Sequence, residues 1–270
     1  MGLIFIHTLK GHRIVLLLMA LALIGFGILI ATSFQTFRGA AASAAFVQEM
    51  PKGVSALLKT EGNLLLASGA QGYLGIGFRH PLVLIIVSAL AIATASGAIA
   101  REIERKTILL LLSRPIPRYK LVLGKMAESS LGGVVLVISL LVGILSGVAI
   151  AHLWSEITLG PIFVMGFNTL CLYLVILGYS FLISSLSNDG GRAIMLPTAL
   201  TVAFFFIDFM ASLFDVLKPL GYISIFHYYD PTAIATQGTF PILSVGVLLS
   251  VALVATAGSI IAFQRRDIAA

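Results

Sequence analysis

Charge is scarce in this chain, at 10% of 270 residues, while apolar residues take 59%. That balance cannot coat a water-soluble globule of this length, so a soluble enzyme or a soluble binding module is excluded. Cysteine is all but missing: Cys171 stands alone, and no intramolecular disulfide can form. The alternation of apolar and polar residues that marks membrane-barrel strands is missing too. An open sheet would leave unpaired backbone groups in lipid, so helices remain. Catalytic patterns are also lacking. There is no H-E-x-x-H pair, and His7, His12, His80, His152 and His227 are scattered without ligand spacing. No G-x-S-x-G elbow occurs, and Asp208 and Asp215 share one segment instead of facing each other from two. A nucleotide-binding G-x-x-x-x-G-K-[ST] loop is absent as well: Gly124 and Lys125 are followed by Met126, and Tyr119 occupies the place of the first glycine. No stripe of interleaved aromatic and basic residues points to nucleic acid.

What the chain does have is six apolar runs long enough to cross about 30 Å of hydrocarbon at about 1.5 Å per residue. They are Ile14 to Ala31, Leu82 to Ala100, Leu131 to Ala151, Ile162 to Leu186, Ala193 to Phe214 and Leu243 to Phe263. The expected fold is an all-α integral membrane protein of six transmembrane helices, forming one domain over residues 1–270. The first run is too long for a secretory signal and no clean A-x-A cleavage site closes it, so it reads as a retained anchor. Gly2 to His12 reads as a short amphipathic helix on the inner surface. Placing both termini in the cytoplasm puts twelve of the seventeen Lys and Arg residues on inner segments, seven of them in the connector between spans 2 and 3. The other five, Arg38, Lys52, Lys59, Arg79 and Lys218, are spread over longer outer loops. The outer loop from Thr32 to His80 carries apolar patches at Val54 to Leu58 and Leu64 to Ala67, which read as short interfacial helices. A docking surface or lid and a loop resting on headgroups both fit it.

The inner connector, residues 101–125, is the most informative stretch. It opens as a helix, with Glu102 and Glu104 early, where carboxylates suit the positive helix end. Leu109 to Leu112 form an apolar knot too short to span. Pro115 and Pro117 then stop the helix and turn the chain, which makes a stiff, charged elbow.

The run Glu102, Glu104, Thr107, Leu110, Leu111, Ser113, Arg114, Pro115, Arg118, then Gly124 and Lys125, resembles the E-x-E-x-x-T-x-x-x-L-L-S-R-P-x-x-R segment of type-2 ABC transporter permeases. Lys106 stands where members of that family often carry Gly. The six spans, the long first outer loop, the Phe226 to Pro231 stretch and the terminal Phe263 to Asp267 are similar to its short permeases, among them those for nitrous-oxide-reductase maturation, sodium export and bacitracin resistance. The resemblance implies the transmembrane subunit of an ATP-driven transporter, an exporter in a prokaryotic cell membrane. It would pair with a second copy of itself or a similar permease and with two copies of an ABC ATPase subunit. ATP and Mg would be bound by that ATPase, leaving no cofactor in this chain. The connector would be a cytoplasmic coupling helix, with Glu102, Glu104, Thr107, Ser113, Arg114, Pro115 and Arg118 as its contact residues. An extracytoplasmic companion on the outer loop is compatible with the same reading. A passive channel or membrane scaffold is the alternative, and neither needs a stiff charged elbow.

Within the spans, Asp208 is the only acid well inside an apolar run. A charge at mid-depth costs about 2.5 to 3.5 kcal/mol, which makes Asp208 a translocation-path candidate. If it lies near the outer interface, it simply meets water or a backbone donor. Asn168, Tyr173 and Ser180 offer a polar track on the fourth span, although Tyr and Ser also pack well in bundles. Phe226, Tyr228 and Tyr229, with Tyr222, read as an outer aromatic belt. The family resemblance adds a short re-entrant helix pair gating the outer exit. Small residues recur every four positions at Ser139, Gly143, Gly147 and Ala151, and at Ala89, Ala93 and Gly97. Each set is a flat ridge for close helix approach, within the protomer or across a dimer interface.

Overall fold

A run of uncharged residues in lipid can satisfy its backbone only within itself, and the chain is helical accordingly. The computed structural model describes residues 2–41, 69–104 and 117–266, with the side chains of 2–13, 37 and 39–41 left aside. The helices are α1 (Gly2–Ala41), α2 (Gly69–Arg79), α3 (Pro81–Ala98), α4 (Ala100–Glu104), α5 (Arg118–Ile150), α6 (Leu159–Leu186), α7 (Gly190–Leu213), α8 (Lys218–Gly221), α9 (Pro231–Gln237) and α10 (Ile242–Arg265). Short 3-10 turns lie at Trp154–Glu156, Asp215–Leu217 and Ile225–Tyr228, and there is no strand among the described residues. Six segments are long and apolar enough to span: Ile14–Thr36, Pro81–Glu104, Arg118–Ile150, Leu159–Leu186, Gly190–Leu213 and Ile242–Arg265. Each expected run falls on one of them.

Two boundaries differ from the expectation. The amphipathic lead-in at Gly2 to His12 is not a separate helix, because α1 runs unbroken from Gly2 to Ala41. Its far end also continues past Ala31, so the start of the expected outer loop is helical. Gln35 there donates to the Ala151 carbonyl at 2.9 Å, and Arg38 pairs with Glu156 at 2.9 Å. Toward its other limit that loop ends in α2, while Val54 to Leu58 and Leu64 to Ala67 lie outside the described residues. Helix α5 starts at Arg118, directly after Pro117. Its 33 residues make it about 50 Å long, more than the hydrocarbon needs.

The bundle is organised around α6, which packs against α3, α5, α7 and α10. Within its spanning window 72% of residues are buried, against 22% for α7 and 28% for α1 and α10. Those three helices therefore present apolar faces outward. Helix α1 lies along α5, where the ridge of small residues is used inside the protomer. A Cβ on Gly27 would come within 2.6 Å of the Ile144 nitrogen, and one on Gly147 within 2.7 Å of the Ala31 side chain, so the helices touch backbone to backbone.

Candidate functional site

The bundle has a basic end, built from α4, the start of α5, the α6–α7 turn and the end of α10. The chain breaks helical geometry at Ile99, between α3 and α4, where φ is −125° and ψ −61°. Ser184 of α6 accepts the Ala100 N–H there at 3.1 Å. Beyond that break Glu102 forms an ion pair with Lys125 of α5, whose ammonium also donates to the Ala98 carbonyl at 2.6 Å. Glu104 accepts the Gly190 N–H at 3.1 Å, and Asp189 accepts the Gly191 N–H at 2.7 Å. Two carboxylates thus cap the first turn of α7, one of them reaching across from α4. Arg118 donates to the Arg266 carbonyl at 2.7 Å. The Arg266 guanidinium in turn holds the Ser185 and Ser187 carbonyls at 2.7 and 2.9 Å and the Asn188 side chain. The five-residue helix α4 is therefore fastened to α5 and α7 at once.

The opposite end is built from α2, the last turns of α7 and the segment before α10. Asp208 is 3% exposed and pairs with Arg79 of α2 at 2.8 Å, itself 4% exposed. Arg79 also donates to the Tyr229 carbonyl at 2.7 Å. The Tyr229 hydroxyl donates to the Phe78 carbonyl at 2.9 Å and lies 3.0 Å from the Thr169 hydroxyl, and burial pushes the phenol's pKa up, keeping it a donor. Asp230 caps α9 through the Ala233 N–H at 3.1 Å. Helices α2 and α9 pack on each other, with Gly75 close to the Pro231 carbonyl.

Next to this anchor a half-open cleft of about 500 Å³ is lined by Asn168 and Asp208 together with Tyr222, His227, Tyr228 and Gln237. A second hollow of about 510 Å³ lies between α3 and α7. It is almost wholly apolar, with Ala89 and Ala93 of the second small-residue ridge facing Phe205, Phe206 and Phe226.

The four path candidates separate. Asn168 and Asp208 meet in the cleft. Tyr173, fully buried, donates to the Ser129 carbonyl at 2.7 Å and ties α6 to α5. Ser180 bonds back to the Ile176 carbonyl at 2.6 Å within its own helix. The aromatic trio separates as well: Phe226 packs edge-on against Phe205, Tyr229 is a fully buried pin, and Tyr228 lines the cleft and donates to the Tyr222 carbonyl at 3.1 Å. Of the connector residues, Glu102, Glu104 and Arg118 are placed as above, while Thr107, Ser113, Arg114 and Pro115 lie outside the described residues. Sequence reasoning passed over Arg79, counted only as an outer-loop cation, and Lys125, read only as part of the connector. Arg79 had a signal: a lone charge at the end of an apolar segment, in a protein whose fifth span holds a lone acid.

No curated protein and no solved structure matches the chain. A family model described as ABC-2 family transporter protein matches residues 5–268, nearly the full length. With six spanning helices and that match, the chain is a multi-pass membrane protein that belongs to the ABC-2 family of transporter proteins, as a permease component of an ABC transporter.

Proposed function

We propose that this permease is an exporter subunit driven by a separate ATPase. In this reading the basic end and both termini face the cytoplasm of a prokaryotic cell, and the 101–125 connector rests on the partner. Two ATPase copies bind ATP and Mg, and the permease pairs with itself or a similar chain. The observation that supports this most is the double tether of α4: any push on the connector reaches α5 through Glu102 and Lys125, and α7 through Glu104 and Gly190. A scaffold or passive channel has no use for such a link. Helices α3 and α7, which wall the apolar hollow, are the elements that such a push would move against each other. Asn168 and Asp208 stay with the translocation path because both line the cleft, while Tyr173 and Ser180 are held in helix contacts.

The test is affinity purification of the native complex, followed by Glu102→Ala and Arg114→Ala variants. An ABC ATPase should co-purify, and each variant should lose ATPase-subunit binding or uncouple hydrolysis from export. Absence of any ATPase, or normal assembly and coupled activity in both variants, would overturn the proposal.

A further inference from the structure

We propose that the seam between the start of α5 and the end of α10 binds an anionic phospholipid, with its phosphate on Arg118, Lys120 and Arg265 and its acyl chains along the outward apolar faces of the two helices. The helices pack on each other, and Arg118 of α5 donates to the Arg266 carbonyl at the end of α10 at 2.7 Å. Between described residues the ion pairs use Arg38, Arg79, Lys125 and Lys218, and none uses Arg118, Lys120, Arg265 or Arg266. At this end of the bundle seven described Lys and Arg residues stand against four acids, Glu102, Glu104, Glu128 and Asp189. Three of those acids are committed, Glu102 to Lys125 and the other two to the first N–H groups of α7. Glu128 stands about 12 Å further along α5 than Lys120. Asp267 lies outside the described residues. Like charges gathered without a counter-charge repel one another, and an anion between them relieves that repulsion.

The pattern of exposure says what carries the anion. On α5, Lys120, Leu123, Ala127 and Leu131 follow at steps of three and four residues, and all are exposed. On α10, Val254, Ala257, Ile261 and Arg265 do the same. Both stripes run along spanning segments, so lipid covers their apolar part, and each ends in a cation at the same end of the bundle. A cation in that position stands at headgroup depth. Arg118, between the two, has guanidinium donors beyond the one given to Arg266, and a planar fork of donors suits phosphate oxygens. A zwitterionic lipid also has a phosphate, but its ammonium group meets the net positive charge of the patch. Headgroups lie at either membrane surface, so the inference stands apart from the transport reading.

The experiment uses the full chain in detergent and counts retained lipid by native mass spectrometry. Dioleoyl-phosphatidylglycerol should bind at least tenfold more tightly than dioleoyl-phosphatidylcholine. Lys120→Gln with Arg265→Gln removes two exposed cations and should weaken that binding by about 25-fold, about fivefold for each charge. Arg38→Gln with Lys218→Gln removes the same charge from the opposite end and should leave binding unchanged. Equimolar sodium phosphate should fail to displace the lipid. On the unaltered chain, added salt should reduce the preference, a reading that needs no variant to fold. Equal binding of the two lipids, equal loss in both double variants, or a preference indifferent to salt would overturn the inference. Displacement by phosphate alone would assign a free anion instead of a lipid. A Lys120 and Arg265 variant that keeps its lipid would overturn it as well, and loss of the ATPase subunit in that variant would assign the patch to a protein partner.

Discussion

At the cleft end, Arg79 and Asp208 are 4% and 3% exposed, and the guanidinium is fixed on its other side by the Tyr229 carbonyl. At the basic end, the Glu102 side chain is 24% exposed, Glu104 is open to solvent, and each reaches a different helix. The first arrangement joins α2, α7 and the segment before α10 through groups that cannot separate without leaving a charge dry. The second joins α4 to α5 through a pair whose carboxylate is partly exposed although Lys125 is only 7% exposed, and to α7 through Glu104, a contact that water can replace. A transporter subunit needs both: one end that keeps its shape and one that yields when pushed. Burial, more than the number of ion pairs, separates the two.

The comparison breaks most decisively at the buried pair. Arg79→Met should destabilise the fold by about 3–5 kcal/mol, because the buried Asp208 carboxylate loses the guanidinium set against it. The double variant Arg79→Met with Asp208→Leu should recover most of that loss, and thermal unfolding in detergent checks both. Asp208→Asn keeps an acceptor for Arg79 but removes its counter-charge, so it should lower the unfolding temperature as well as alter export, as thermal unfolding and a transport assay on the purified complex would show. At the basic end, Lys125→Met should cost about 1–3 kcal/mol, less than at the anchor because the Glu102 side chain is partly exposed. Its larger effect should be on the ratio of transport to ATP hydrolysis.

A steric pair sharpens the same contrast. Gly75→Ala places a Cβ 3.1 Å from the Pro231 carbonyl and Thr232 Cα, so backbone must shift and about 1–2 kcal/mol is lost. Gly190→Ala meets only the Arg101 and Glu104 side chains, which can swing aside, so it should loosen the α4–α7 link with little change in unfolding temperature.

The smallest effect is that of pH. His80 caps α3 by accepting the Leu82 N–H at 3.2 Å, and burial holds its pKa below the ordinary 6.5. The unfolded chain therefore binds the proton more readily than the folded one. Stability should be complete above about pH 6.5 and fall as the pH drops below it, and His80→Asn should flatten that slope.

The six spanning helices were legible because run length and the missing charge decide them without help from the rest of the fold. Helix α2 was not. Its eleven residues include Gly69, Gly72, Gly75 and Gly77, a poor helix former alone, and burial against α9 makes it helical. At the basic end the sequence marked Glu102, Glu104 and Arg118 by pattern, but it could not say that Glu104 caps a helix 86 positions away. Asp208 stood out as a lone acid, yet its partner sits 129 positions earlier, and only the packing of α2 brings them together. Asn168 carried a weak polar signal, and its unmet amide is visible only once its neighbours are placed. Tyr173 and Ser180 carried the same signal and proved to be satisfied by carbonyls nearby.

Amide hydrogen exchange on the permease with its ATPase, compared with and without ATP, tests most directly the claim that one end moves and the other holds. ATP should change exchange at residues 100–104 and 190–193 and leave residues 75–79 and 229–235 unchanged. Equal change at both ends, or change confined to the Arg79 and Asp208 anchor, would contradict it.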